Sequence, residues 1–349
     1  MNRPFVNLVV SKLSGRRPVL NLHRIDPAGL FHPAAAAAGS AVPARGRMPP
    51  AAVSFDWPCP GWMSFMAIKN DVIATDHEGR TLFYDGALRA IRAMSPITYP
   101  MPSSISFTVG DELYVLGREP GRSRQLQPFQ RLRLKDWRWS RSEPLPTVNI
   151  DRSDPTYFPY KLGVEEAYDP YALAAHTVVD DSHIWVSTLG AGTYSFDTDG
   201  GRWSKIGCWA LPFRGRAEYV PERGLWFGFS AQDEHLCAVD LQQERPVLPN
   251  RVFPLLHVWE GQPPPPPEGQ WTLTASHLLP LGSGKLCVSK LFRRTEGQPS
   301  SEHTHHKKAD SLVVLAGVEI IKDPAGTGSL HIIRHKSVRY NVSGNVKPL

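Results

Sequence analysis

The 349-residue sequence predicts an all-β protein, a β-propeller of degenerate four-stranded blades. Three observations carry this expectation. A short phrase recurs along the chain: an alternating run, a tight polar turn, then a Leu/Ile-aromatic-Val strand. Proline (33) and glycine (28) are frequent, as many short strands joined by turns require. Turn signals then divide the chain into five groups of four strand-length runs, with a strand pair left over at the N-terminus. Repetition at this scale means units that cannot bury their faces alone, so neighbours must stack.

The N-terminal pair comes first. Phe5-Val6-Asn7-Leu8-Val9-Val10 and Val19-Leu20-Asn21-Leu22-His23-Arg24-Ile25 are apolar runs separated by Gly15 and Pro18. Residues 1–25 are assigned as a strand pair that helps to close the ring by completing a blade with 51–57. The same segment carries Arg3, Lys12, Arg16, Arg17 and Arg24 and no acid, so an organelle transit peptide is the alternative. Residues 26–50 are rich in Pro, Ala and Gly and are expected to form a flexible insertion, including the alanine run at 34–38. The propeller proper is assigned to residues 51–344.

Within it, the first group places strands near 62–68, 71–76, 80–85 and 89–94, and the second near 104–109, 112–117, 127–134 and 137–141. A polar loop follows at 147–172. The third group uses 174–179, 183–188, 192–197 and 203–208; the fourth uses 216–220, 224–230, 235–241 and 251–259. A tract of five prolines, 263–267, favours an extended spacer. The fifth group uses 272–281, 284–292, 310–322 and 328–342, with a hydrophilic insert at 293–308. With the N-terminal pair this gives six blades, five or seven being the alternatives.

The copies of the phrase fall between the first and second strands of each group. The middle copy turns at Asp180-Asp181-Ser182 into Ile184-Trp185-Val186, and the next at Glu222-Arg223-Gly224 into Leu225-Trp226-Phe227. Gly110-Asp111 leads to Leu113-Tyr114-Val115, Asn70-Asp71 to Val72-Ile73-Ala74, and Gly282-Ser283-Gly284 to Leu286-Cys287-Val288. Trp185 and Trp226 thus hold equivalent places and are expected to be packing residues.

Between the third and fourth strands of the third group the chain reads Tyr194-Ser195-Phe196-Asp197, then Thr198-Asp199-Gly200-Gly201-Arg202-Trp203. This resembles a kelch blade, where a strand ending in Asp turns through polar residues into a strand bearing Trp. Over nearly the whole chain the sequence is similar to a large grass family of uncharacterised kelch-like proteins, related to F-box-associated plant propellers and known as a domain of unknown function. The strings that carry this resemblance are Phe5-Val6-Asn7-Leu8-Val9-Val10 with Leu22-His23-Arg24-Ile25-Asp26-Pro27, Trp209-Ala210-Leu211-Pro212-Phe213-Arg214-Gly215-Arg216-Ala217-Glu218-Tyr219-Val220-Pro221-Glu222, and Leu279-Pro280-Leu281-Gly282-Ser283-Gly284-Lys285-Leu286-Cys287-Val288. The resemblance implies a plant origin and a propeller, with no established activity. Residues 1–50 lack the helical pattern of an F-box.

Several function classes lose support. No apolar stretch approaches the roughly 18–20 residues that span a bilayer, so no membrane partner is expected. Cys59, Cys208, Cys237 and Cys287 lack any CxxC spacing, which fits buried thiols better than a disulfide framework or a zinc site. His303, His305 and His306 are three imidazoles in a polar insert beside Lys307 and Lys308; without a rigid element to fix them, no metal site and no cofactor are assigned. No GxSxG, HExxH or GxxxxGK[ST] string occurs, and no Cys is set with a Tyr and two His as a copper oxidase would need. Trp137-Arg138-Trp139-Ser140-Arg141 interleaves aromatics with arginines, but strand alternation would put both indoles on one face and Arg138 on the other. A blade core with a solvated edge is preferred there to a nucleic-acid surface, and the net charge of +6 does not change that.

The candidate binding residues are Arg214, Arg216 and Glu218, charges placed inside the first strand of the fourth group. In a propeller that strand lines the central channel, where Ser104, Ser106, His176, Thr274 and Ser276 would join them. Arg216 and Glu218 are two apart and share a face, as an ion pair or as a polar ligand site. The expected function is a non-enzymatic protein-interaction scaffold with unknown protein partners, cytoplasmic or nuclear. A small-molecule binder or enzyme using the channel is the alternative.

Overall fold

The computed structural model describes residues 3–14, 17–32, 43–56, 61–102, 104–117, 129–146, 172–188, 190–242, 255–259, 271–294, 310–322 and 329–349. Every regular element among them is a strand apart from one 3₁₀ turn. No helix there is long and apolar enough to cross a membrane. The chain divides into two compact units, residues 1–60 with 259–349, and residues 61–258.

The first unit opens with β1 (Val6–Ser14) and β2 (Arg17–Ile25), paired from Val6↔Ile25 to Ser14↔Arg17. Pro27–Leu30 is the 3₁₀ turn, started by Asp26, whose carboxylate accepts the Ala28 N–H at 2.8 Å. The short β3 (Ala44–Arg45) and β4 (Ala51–Asp56) follow. The 26–50 segment is therefore structured at both ends; its alanine run lies outside the described residues.

The second unit consists of successive antiparallel sheets. The first sheet is β5 (Met63–Ile68), β6 (Asp71–Asp76), β7 (Thr81–Asp85) and β8 (Ala90–Met94), hydrogen-bonded in that order. The next is β9 (Ser104–Val109), β10 (Glu112–Gly117), β11 (Phe129–Arg133) and β12 (Arg138–Arg141). Then come β13 (Leu173–Val179), β14 (His183–Thr188), β15 (Gly192–Asp197) and β16 (Arg202–Gly207). The last set is β17 (Phe213–Val220), β18 (Leu225–Ser230), β19 (Leu236–Val239) and β20 (His257–Trp259). A short parallel contact, Ala175↔Gly215 and His176↔Arg216, joins these two sets through their first strands into an eight-stranded sheet.

The rest of the first unit is β21 (Trp271–Gly282), β22 (Lys285–Arg294), β23 (Asp310–Lys322), β24 (Leu330–Ser343) and β25 (Val346–Pro348). The first four form a meander that β3 extends in parallel. β25 pairs with β1 (Leu8↔Pro348), giving the sheet β25-β1-β2-β4. β4 pairs with β2 from Val19↔Asp56 to His23↔Ala51, so the N-terminal hairpin and residues 51–56 share one sheet. The sequence gives no sign of β25, which lies beyond 344 and has only three residues.

Each copy of the recurring phrase is the hairpin between the first and second strands of a sheet. The closing pairs are Ile68↔Asp71, Val109↔Glu112, Val179↔His183, Val220↔Leu225 and Gly282↔Lys285. The apolar run that follows is buried in every copy, because the second strand has a neighbour on both edges and core on both faces. Ile184, Trp185 and Val186 are 2% exposed or less, as are Trp226, Phe227 and Phe229. Burying such a side chain contributes about 1.5–3 kcal/mol. Phe129 of β11, Tyr194 and Phe196 of β15 and Trp203 of β16 form one aromatic cluster, with Trp203 Nε1 donating to the Glu143 carbonyl at 2.8 Å.

One local expectation fails. Trp137 does not begin a strand: it ends the β11–β12 turn at φ 54°, and β12 starts at Arg138. The β7–β8 and β15–β16 turns have the same length, and Arg89 (φ 53°) and Gly201 (φ 68°) occupy the matching position. The strand alternation read across Trp137 and Trp139 therefore does not apply, although both indoles still pack on the core beside Leu132.

Candidate functional site

The polar residues of the first strands meet in the second unit. β9 alternates cleanly: Ile105, Phe107 and Val109 are buried in the core, leaving Ser104, Ser106 and Thr108 on its other face. β9 lies against β13, where the His176 ring meets Phe107 edge-on at 5.4 Å. β13 in turn pairs with β17.

β17 is irregular where its charges sit. Its register against β18 shifts between Arg214↔Phe229 and Glu218↔Phe227, and Gly215 lies in this bulge at φ +74°. A left-handed residue there suits glycine, since a side chain would add strain even in open space. The bulge brings Gly215 and Arg216 alongside Ala175 and His176. It also parts the two arginines.

Arg216 lies side-on to Glu218, with Nε to Oε1 at 2.7 Å and Nη2 to Oε2 at 3.4 Å. Its Nη1 donates to the Ser106 carbonyl of β9 at 3.2 Å. These contacts use three of the five guanidinium N–H groups. The Glu218 side chain is 13% exposed and that of Arg216 39%. The cation therefore sits outermost, over a largely covered carboxylate. Arg214 takes a different partner, Glu234, in the β18–β19 turn. Beside it, Asp233 accepts the His235 N–H, which holds its carboxyl below the usual range.

The sequence candidates thus separate into two ion pairs, Arg216–Glu218 and Arg214–Glu234. The shared face of Arg216 and Glu218 was legible from their spacing. Glu234 was not, because its position depends on a turn between two later strands. Thr274 and Ser276 belong to β21 of the first unit, where Thr274 donates to the Leu291 carbonyl at 3.1 Å. His303, His305, His306, the proline tract and most of the 147–172 loop lie outside the described residues.

The arrangement can offer charge and hydrogen bonds. Among the described residues no group of three His, Cys, Asp or Glu side chains could hold a metal ion. Burial pushes the Cys237 and Cys287 thiols up to about 12, far from a reactive thiolate. The Tyr114 phenol is also pushed up, first by burial and then by its hydrogen bond to Glu112.

Fold and site together define an all-β protein of repeated four-stranded antiparallel sheets, with a charge-paired polar cluster on their first strands. The chain belongs to the family described as Protein of unknown function (DUF1668), whose model matches residues 3–340. A search of curated proteins finds no match to it.

Proposed function

We propose that this chain is a kelch-like β-propeller, of the type found in the grass family it resembles, and that it works as a non-enzymatic protein-interaction scaffold. Successive four-stranded sheets whose first strands adjoin in chain order support the propeller reading. In that architecture β9, β13 and β17 line the central channel, and Arg214, Arg216 and Glu218 stand at its mouth. One observation carries the binding role: guanidinium groups are held outermost, over carboxylates that are more covered than they are. Such groups offer directed donors to a partner's carboxylates or carbonyls without themselves leaving an ion pair.

The test is a pull-down with a double variant, Arg216→Ala with Glu218→Ala, which removes both charges together. The proposal expects a folded protein that loses at least one partner. A folded variant that keeps every partner of the wild type would remove the channel mouth as a contact surface.

A further inference from the structure

We infer that the outer edge of β8 and the groove beside it form a docking strip for an extended acidic segment of a partner protein. This rests on reading the chain as a binding protein, but not on the channel mouth. β8 is the last strand in its sheet, and Ala90, Ile91, Arg92 and Ala93 are all exposed. The outer backbone of such a strand is a template for another strand. A groove of about 350 Å³ runs beside it, lined by Arg92, Met94, Ser95, Asp136, Trp137 and Arg138. That volume accepts one or two side chains of an added strand.

Charge and apolar surface both select the occupant. The hairpins β7–β8 and β11–β12 with their turns, residues 81–94 and 129–141, hold seven basic and two acidic residues, against a formal charge of +6 for the whole chain. Asp85 accepts the Ala87 and Leu88 N–H groups through Oδ1 and faces Arg92 at 3.7 Å through Oδ2, and Asp136 faces Arg133 at 3.5 Å, so the two acids offset two of the seven cations and leave an excess of five. Next to this excess, Leu88 is 77% exposed and Ile91 46%. Charges on an edge strand often serve only to repel other edges. β16 fits that role, with exposed Arg202 and Lys205 and no exposed large apolar side chain. β8 differs in combining arginines with apolar surface and a groove.

A nucleic acid fits less well. The Trp137 ring, the natural stacking platform, already meets Phe83 edge-on at 4.6 Å and lies under the Arg92 guanidinium at 5.7 Å. An extended peptide needs no free ring. Its backbone pairs with β8, alternate carboxylates reach Arg92 and Arg138, and the side chains between them rest on Ile91.

The experiment is fluorescence anisotropy on the full chain with three labelled probes: a short peptide of alternating glutamate and valine, its lysine–valine counterpart, and an oligouridine. The glutamate peptide should bind and the lysine peptide should not. Arg92→Glu with Arg138→Glu should weaken binding at least about tenfold, while Arg202→Glu with Lys205→Glu on β16 should leave it unchanged. Hydrogen exchange of the wild type should show the amides of residues 90–94 protected by the peptide. This second readout stands even if the charge-reversed variant fails to fold. Equal binding by both variants, no protection at β8, no binding of the glutamate peptide, or tighter binding of oligouridine would each overturn the inference. A partner captured equally by wild type and by the Arg92/Arg138 variant would overturn the strip while leaving the scaffold reading intact.

Discussion

Trp226 donates its indole N–H to the carbonyl of Val178 at 2.9 Å, so β18 and β13 are held together by a hydrogen bond as well as by packing. Val178 lies at the end of the strand that pairs with Arg216's strand. Thr177 of the same strand donates to the Ala217 carbonyl at 2.9 Å. The bulge that positions Arg216 is therefore fixed from behind by the buried Thr177 and Trp226 side chains.

Trp226→Phe keeps most of the ring volume but removes the 2.9 Å donor to the Val178 carbonyl, leaving it the more distant Thr177 hydroxyl at 3.5 Å. It should destabilise the protein by about 1–3 kcal/mol, read as a lower midpoint in urea with an unchanged slope. A variant as stable as wild type would show that the bond carries no net weight.

Gly317 interrupts β23 where its register against β24 shifts, and the 3₁₀ turn docks onto it. A Cβ there would lie 2.6 Å from the Leu30 carbonyl oxygen. Gly317→Ala should therefore displace residues 27–30 and cost about 1–3 kcal/mol. Hydrogen exchange should show early opening of that turn, while the second unit keeps its wild-type protection.

The three cysteines among the described residues should divide sharply. Cys237 and Cys287 are buried with pKa values raised to about 12, whereas Cys208 is exposed. Iodoacetamide at mildly alkaline pH should label Cys208 in the native protein and reach the other two only after unfolding. Peptide mass spectrometry reads all three. Native labelling of Cys237 would mean that its sheet opens readily.

The Asp197 carboxylate accepts backbone N–H bonds from Gly200 and Asp199, and these hold its pKa below the ordinary value. A depressed carboxylate pKa gives stability that is full above the unfolded value of about 3.9 and lost as pH falls through the folded value. Asp197→Asn should be less stable at neutral pH and should fall less steeply in acid. Parallel urea titrations across that range would check it.

The strand pattern was largely legible in the sequence because each sheet is built from local hairpins. Turns such as Ser283-Gly284, with both residues at positive φ, mark a boundary within a few residues of the strands they join. An indole favours a strand, but the four-residue turn needs a left-handed last residue, as at Arg89 and Gly201, and Trp137 takes that place while packing on Phe83. β25 was missed because three residues carry no periodicity. At the candidate site, the two-residue spacing of Arg216 and Glu218 sufficed. The Ser106 carbonyl and Glu234 come from other hairpins, and no local signal in the sequence could have brought them there.

Native mass spectrometry of the full chain, purified under gentle conditions from cells that express it, tests the scaffold reading most directly. A scaffold should appear in complex with a second protein at whole-number stoichiometry and without a small-molecule adduct. A chain that carries a retained metabolite and no protein partner would contradict that reading and favour a ligand-binding or enzymatic channel instead.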